Sequence, residues 1–511
     1  MLIWLAGCAD PVVTVELTAD ATTRPVLHGD DLGGSWEAEV EPDFVLTDGT
    51  TTVELDELVA TWTEPAVLQL VALVDGDEAA NVPILALGRE VVWGDLHAHS
   101  NLSHDGCEEV DEDCADREAY AGAGFFDEAR ERGLDFAALT DHAEYATYHP
   151  DGDPLSEGID IWQAQQDLVQ AADDPDFVPL LGYEWTLAKP MEVDEDGHFE
   201  GGHKTIILGE PTACAEYRIA APHETGVHEK ASGSGPIAIG RDDELDGGVP
   251  HALWELLDAA KESCGEQPVM GFAHHPAWSL PQATDFTRDI NIPDGRYEWL
   301  VEVLSEHGSS ECADPGAEGC DWWPKTNAEY RTQGAVQTAL QQGYRLGFVA
   351  GTDSHDARPG SVEDDPSCTA MFEDEDGDDI PETPRCHDWH GALTGALVDE
   401  LGREQLFEAF QARRTVITSG PMAAVRASMV VDGRLYAPGD QVPPGTASIR
   451  AWAPLEGTVQ LLAASGEVVA EGEQALEADL AVADGEVFYV RVRVDGEPEE
   501  RLWASPWFVT E

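Results

Sequence analysis

Gly94-Asp95-Leu96-His97-Ala98-His99-Ser100 closes a short apolar run, Val91-Val92-Trp93, and its reading decides the fold. Valine and tryptophan favour extended chain. Alternation along a strand would put His97 and His99 on one face, both aimed into the protein. Buried imidazoles are costly unless they are paired or ligated, so an H-x-H at a strand end raises the question of a metal.

Working outward, the same arrangement recurs. Apolar strand candidates at 91–99, 134–142, 177–185, 203–210, 269–276, 299–307 and 345–355 are separated by helical stretches at 118–133, 161–172, 252–262 and 329–343, with a last helix at 403–414. Strand and helix in alternation are the pattern of a repeated β/α unit. Each strand candidate carries metal-capable side chains at one end: His97, His99 and then Asp105; Asp141-His142; Glu184; His203; His274-His275; Glu302 and His307; Asp353 and His355. In a parallel barrel the strand ends converge on one mouth, where active sites are built. Histidine and carboxylate donors without thiolates suit zinc, manganese or iron, and the number of candidates exceeds what one ion needs, so two or three ions are expected.

The flanks read differently. Residues 11–90 and 421–511 alternate apolar and polar positions over short runs separated by Asp-Gly and Gly-Gly turns, which predicts a β-sandwich on each side of an α/β unit at 91–420. Residues 209–250 and 356–390 interrupt the rhythm and are expected to overhang the central unit as loops. The acidic run at 372–382 resembles a calcium loop, with a structural calcium placed at 374–382.

Composition narrows the partners. With 27 Lys+Arg against 102 Asp+Glu, formally −75, the chain repels nucleic acid and anionic membranes. A small anionic substrate would need concentrated positive charge, which bound metal supplies. Residues 1–8 end in Leu5-Ala6-Gly7-Cys8, which resembles a lipobox whose cysteine is lipidated; this is the one route to a membrane and predicts a bacterial envelope lipoprotein, periplasmic, surface-held or secreted. The eight remaining cysteines are even in number and lack C-x-x-C spacing, so disulfides are expected: Cys107–Cys114, Cys312–Cys320 and Cys368–Cys386, with Cys214–Cys264 left over.

The segments GDLHAHS (94–100), LTDH (139–142) and GTDSH (351–355) resemble the PHP superfamily, named for polymerase and histidinol phosphatase. SEHGSSE (305–311), GFVAGTDSH (347–355) and RRTVITSGP (413–421) resemble more narrowly its secreted branch, DUF3604. The resemblance spans about 91–425 and implies a distorted (β/α)7, TIM-like barrel with up to three divalent ions and phosphoester hydrolysis. It implies that His97, His99 and Asp353 hold the first ion and that Glu184 bridges to a second, completed by His203 and either His274 or His275. Asp105, His142 and His355 would hold the third; His104 competes with Asp105 and His198 with His203. Glu184, His307 and Asp353 are the catalytic candidates, and His307, Glu311, Lys204 and Arg358 the candidates for substrate contact. Two other readings stand beside this one: hydrolysis of amide, lactone or carboxylic ester bonds on the same metals, and an envelope-anchored glycan- or partner-binding module whose metal is structural.

Overall fold

The computed structural model describes side chains at 91–100, 102, 124–143, 161–187, 202–220, 252–278, 283–287, 293–317, 319–320, 330–355, 357–362, 391–496 and 500–511, and the course of the strands between 14 and 90. The expected lipobox, the Cys107–Cys114 and Cys368–Cys386 pairs, the calcium loop, His104, Asp105 and His198 lie outside the described residues.

The fold is mixed α/β and largely sheet. Its centre is β1 (Glu90–Asp95), β2 (Phe136–Leu139), β3 (Val178–Thr186), β4 (His203–Leu208), β5 (Val269–His274), β6 (Glu298–Ser305) and β7 (Gly347–Ala350), one for each expected strand. β1, β2 and β3 pair in parallel, as do β5, β6 and β7. β4 departs from the all-parallel expectation: it runs antiparallel to both β3 and β5. That reversal explains why its histidine stands at its start. In register, His203 sits opposite Thr186 at the end of β3 and His274 at the end of β5, so all these polar ends face one way. The two extremes of the run also meet, through a parallel bridge between Ala98 and Ser354 and the bonds Asp353 N–H to His97 O (2.8 Å) and His99 N–H to Ser354 O (2.9 Å).

Alternation sorts the strand side chains into two layers. Val92, Phe136, Leu180, Ile207, Phe272, Leu300 and Val349 fall in one buried cluster to which every central strand contributes. The opposite faces, with Leu139, Tyr183, Trp185 and Ile206, pack against the helices Phe125–Glu131, Ile161–Ala172 and Val249–Cys264. In the second of these helices the buried residues Ile161, Trp162, Gln165, Gln166 and Val169 recur at helical spacing, which is why it lies flat on the sheet.

The sheet continues beyond the central strands. β1 pairs antiparallel with β8 (Leu393–Val398), β8 with β9 (Thr415–Thr418), and β9 with the last strand, β13 (Glu500–Val509). β12 (Val487–Val494) and β11 (Gly457–Ala463) follow, so the C-terminal strands extend the same ladder instead of forming a detached layer. A separate antiparallel sheet holds Arg434–Tyr436, β10 (Arg426–Val431) and the strands Gly445–Trp452 and Ala475–Val482. Between 14 and 86 the strands form small antiparallel sheets.

Cys312–Cys320, expected from its close spacing, and Cys214–Cys264, expected as the remaining pair, are both disulfide-bonded, which accords with an oxidising compartment. Among the described residues no helix is long and apolar enough to cross a membrane.

Candidate metal centre

The strand β1 ends at Asp95, so the alternation expected for the histidine pair does not itself aim them. Asp95 does that work from below. Its carboxylate accepts from the N–H groups of His97 and Thr352 (both 3.0 Å) and of Gly360 (2.9 Å), and from the Thr352 hydroxyl, tying the ends of β1 and β7 together. Burial pushes its carboxyl up to about 6 against those four hydrogen bonds. Gly351 permits the approach: a Cβ there would lie 2.7 Å from the Cβ of His97.

Above this lock, four donors converge. His97 Nε2 lies 3.1 Å from His99 Nε2 and 3.3 Å from both Glu184 Oε2 and Asp353 Oδ1. His99 Nε2 lies 3.3 Å from Glu184 Oε2 and 3.1 Å from Asp353 Oδ1. Donors bound at about 2.1 Å around a tetrahedral ion are separated by roughly 3.4 Å, and cis donors of an octahedron by about 3.0 Å. The observed edges fall in that interval, and all four side chains are buried. Two imidazole nitrogens this close cannot satisfy each other and two carboxylates with protons alone, whereas one cation satisfies all four. The donor set fits a divalent metal.

Two further groups adjoin it. His99, His142 and His355 form one, with the His99 and His355 rings stacked at 4.4 Å; His274, His275, His307 and Asp353 form the other. Glu184 turns its second oxygen to His203 Nδ1 at 2.6 Å, in keeping with a bridging role. The sequence leaves His274 and His275 as alternatives; here both are buried within the centre, and the His275 ring is the nearer to His203, at 4.9 Å against 6.4 Å. His275 (φ 30°) and Asp353 (φ 56°) hold left-handed backbone, which costs of order 1–3 kcal/mol per residue and marks sites that the surrounding structure over-determines.

The electrostatics divide the histidines of the centre into lowered and raised groups. Burial, reinforced by His274, pushes His97 down to about 3. On His99, burial and His355 also act downward, but the Asp353 and Glu184 carboxylates outweigh them and carry it up to about 9. His275 is driven well down by burial and by the imidazoles of His274, His203 and His307. Against burial, the surrounding histidines hold Glu184 and Asp353 well below the usual carboxylate range. His99 Nδ1, His203 Nε2 and His275 Nδ1 are buried without a hydrogen-bond partner. Each orphan costs roughly 1–3 kcal/mol, a cost that ligation through that same nitrogen would remove.

Outer partners orient the donors. Thr205 Oγ stands 2.6 Å from His97 Nδ1, Thr186 Oγ 2.6 Å from His142 Nδ1, and Glu302 2.8 Å from His274 Nδ1 while accepting the His275 N–H at 2.8 Å. A carboxylate behind a ligating imidazole fixes its tautomer and raises its basicity. Glu302→Gln is therefore expected to weaken metal binding about 10–100-fold with the fold intact, as measured by competition with a chromophoric chelator.

Two expectations from the sequence are corrected. Lys204 does not reach the centre: it follows His203 on the opposite face of β4, lies over Trp254 at 5.6 Å and pairs with buried Glu298 at 2.5 Å. Glu311 does not face substrate either. It is buried, and its carboxylate accepts from Tyr489 Oη (2.7 Å), Arg491 Nη1 (3.1 Å) and Trp503 Nε1 (3.1 Å), all on C-terminal strands. Arg358 lies half-buried just past the centre, its N–H donating to Ser354 Oγ at 3.0 Å. His307 is inside the centre, with Nε2 2.7 Å from Asp353 Oδ2. Asp95 and Thr205 were missed: Asp95 acts by binding backbone N–H groups as well as by position, and Thr205 reaches His97 across the centre from a strand 108 residues on, which no spacing rule marks.

Residues 241–432 match the family described as Protein of unknown function (DUF3604), a stretch that contains His274, His275, Glu302, His307, Asp353 and His355. A two-domain protein containing a predicted PHP-like metal-dependent phosphoesterase, from Bacteroides vulgatus ATCC 8482, is similar at 14% identity over 80% of this chain and 91% of its own, with a TM-score of 0.32. A glycosyl hydrolase family 2 member from Bacteroides cellulosilyticus DSM 14838 is similar at 9% identity over 98% of this chain and 60% of its own, with a TM-score of 0.14. Neither likeness bears on function at these scores. No curated protein matches.

Proposed function

We propose that this chain, with its DUF3604 region at 241–432, is an exported metal-dependent hydrolase acting on phosphoesters of a small anionic substrate. The observation that carries the reading is the convergence of His97, His99, Glu184 and Asp353 at ligand-to-ligand spacing inside a wider cluster of imidazoles. A distorted seven-stranded barrel is the matching architecture, supported by the Ala98–Ser354 bridge and by the inner layer that every central strand supplies. The flanking 11–90 and 421–511 regions are taken as accessory β domains.

Divalent ions at this centre would supply the positive charge that an otherwise strongly acidic chain lacks, acidify water and neutralise charge developing on phosphoryl oxygen. Glu184 and Asp353 contribute one oxygen each to the four-donor group and the other to neighbouring histidines, which holds both carboxylates rigid through a reaction. Water adds to phosphorus, the bond from phosphorus to the leaving oxygen breaks, and that oxygen takes up a proton. His355, a fifth exposed and braced by Glu306 at 3.1 Å, is the most solvent-open of the centre's described histidines and is placed to relay that proton.

The test combines metal analysis with turnover on the full chain. About two to three ions per chain, with phosphomonoester or phosphodiester hydrolysis lost to chelator and restored by zinc or manganese, is the expected result. Bound metal with turnover of amide, lactone or carboxylic ester substrates instead would overturn the phosphoester assignment. Fewer than about one ion per chain after reconstitution would sink the enzyme reading and favour a binding module.

A further inference from the structure

The two oxygens of Asp353 serve different groups. Oδ1 belongs to the four-donor set, whereas Oδ2 lies 3.0 Å from His274 Nε2 and 2.7 Å from His307 Nε2. His275 completes this second set, whose donor atoms all lie within 4.8 Å of one another. His275 Nδ1 is buried with no hydrogen-bond partner, so this histidine of the set keeps a polar atom that no protein group satisfies. We propose that His307 is a metal ligand, completing with His274, His275 and Asp353 Oδ2 a cation position separate from the four-donor one. This rests on the reading of the centre as a metal site and reassigns His307 from the substrate contact that the family resemblance implies.

Three neutral imidazoles and one shared carboxylate oxygen make a nitrogen-rich set, which selects zinc or a similar transition ion over magnesium or calcium. The position of His307 is built accordingly. It lies in the two-residue turn Glu306-His307 between Leu304–Ser305 and Gly308–Ser309, with Gly308 at φ 99° permitting the turn. Glu306 N–H donates to Thr352 O at 3.2 Å, joining the turn to the segment that carries Asp353. Trp278 stacks on the His307 ring at 4.1 Å and 22°, fixing its plane. Four residues on, Glu311 is clamped by Arg491, and the Cys312–Cys320 disulfide closes the loop behind it. Such bracing holds the imidazole at the preorganised position that a ligand to a fixed ion requires.

The decisive experiment titrates the metal-free full chain with zinc, counting ions by mass spectrometry and affinities by chelator competition. Wild type, His307→Ala and His307→Gln are compared, the glutamine variant keeping the buried volume, and circular dichroism establishes that each is folded. The expected result is about one tightly held ion fewer in both variants, with the remaining ions bound as in wild type. A full complement at unchanged affinity in either folded variant would overturn the assignment of His307 and leave the four-donor centre standing, with a substrate role for His307 if turnover alone fell. A wild type that holds no zinc would remove the whole centre and this position with it.

Discussion

His97→Ala is expected to empty the four-donor position and lower hydrolytic turnover by at least ~10³-fold while the protein stays folded. His97 is fully buried, and its Nε2 stands 3.1–3.3 Å from the other three donors, so no rotation of a neighbour can replace it. Its removal leaves Oε2 of Glu184 and Oδ1 of Asp353 with His99 as the one remaining imidazole of the four-donor set. Metal analysis of the variant, alongside turnover of the substrate best hydrolysed by wild type, measures both halves of the expectation. Thr205→Val provides the scale. It removes the hydroxyl 2.6 Å from His97 Nδ1 and leaves the ligand in place, so a smaller loss of about 10–100-fold in metal affinity is expected. Unchanged turnover in His97→Ala would dissociate this group from the chemistry.

Arg491→Ala carries the largest expected effect on stability, about 3–5 kcal/mol. Arg491 and Glu311 are both buried; the guanidinium also donates to Gly319 O at 3.0 Å and to Gln460 Oε1 at 2.9 Å. Removing it strands a carboxylate away from water with only Tyr489 and Trp503 to bond it, and leaves the carbonyl of Gly319 with Arg501 alone of the two arginines. Denaturant unfolding followed by tryptophan fluorescence should show the loss. The double variant Glu311→Leu, Arg491→Met tests the cause. Because replacing both ions removes the stranded charge, it is expected to be less destabilised than the sum of Glu311→Leu and Arg491→Met measured singly. Strict additivity would show that the pair is not the reason for the loss.

How far the sequence could be read follows from which interactions are local. The central strands stood out because buried strands are apolar over short runs, and each appears where its residues predict. The helices at 161–172 and 403–411 likewise declared themselves by periodicity. His97, His99, His142, Glu184, His203, His274, His275, Asp353 and His355 were legible as a set because polar residues at strand ends are conspicuous against apolar strands. The direction of β4 was not legible. Periodicity is the same for a strand running either way, and only pairing with β3 and β5 sets its sense. Lys204 and Glu311 misled for a related reason: each is next to or near a site residue in sequence, but alternation turns one outward and a partner from a C-terminal strand captures the other.

The sequence by itself determined the α/β pattern, the strongly acidic charge balance and the clustering of metal-capable side chains at strand ends, since these depend on residue identity and local spacing. Tertiary structure alone decided which oxygen of Asp353 faces which histidines, that Asp95 and Glu302 brace the donors, and that Arg491 is buried against Glu311. Apart from the Asp95–His97 bond, those contacts join residues tens to hundreds of positions apart, settled by packing and the need to satisfy buried charge, for which local sequence holds no record.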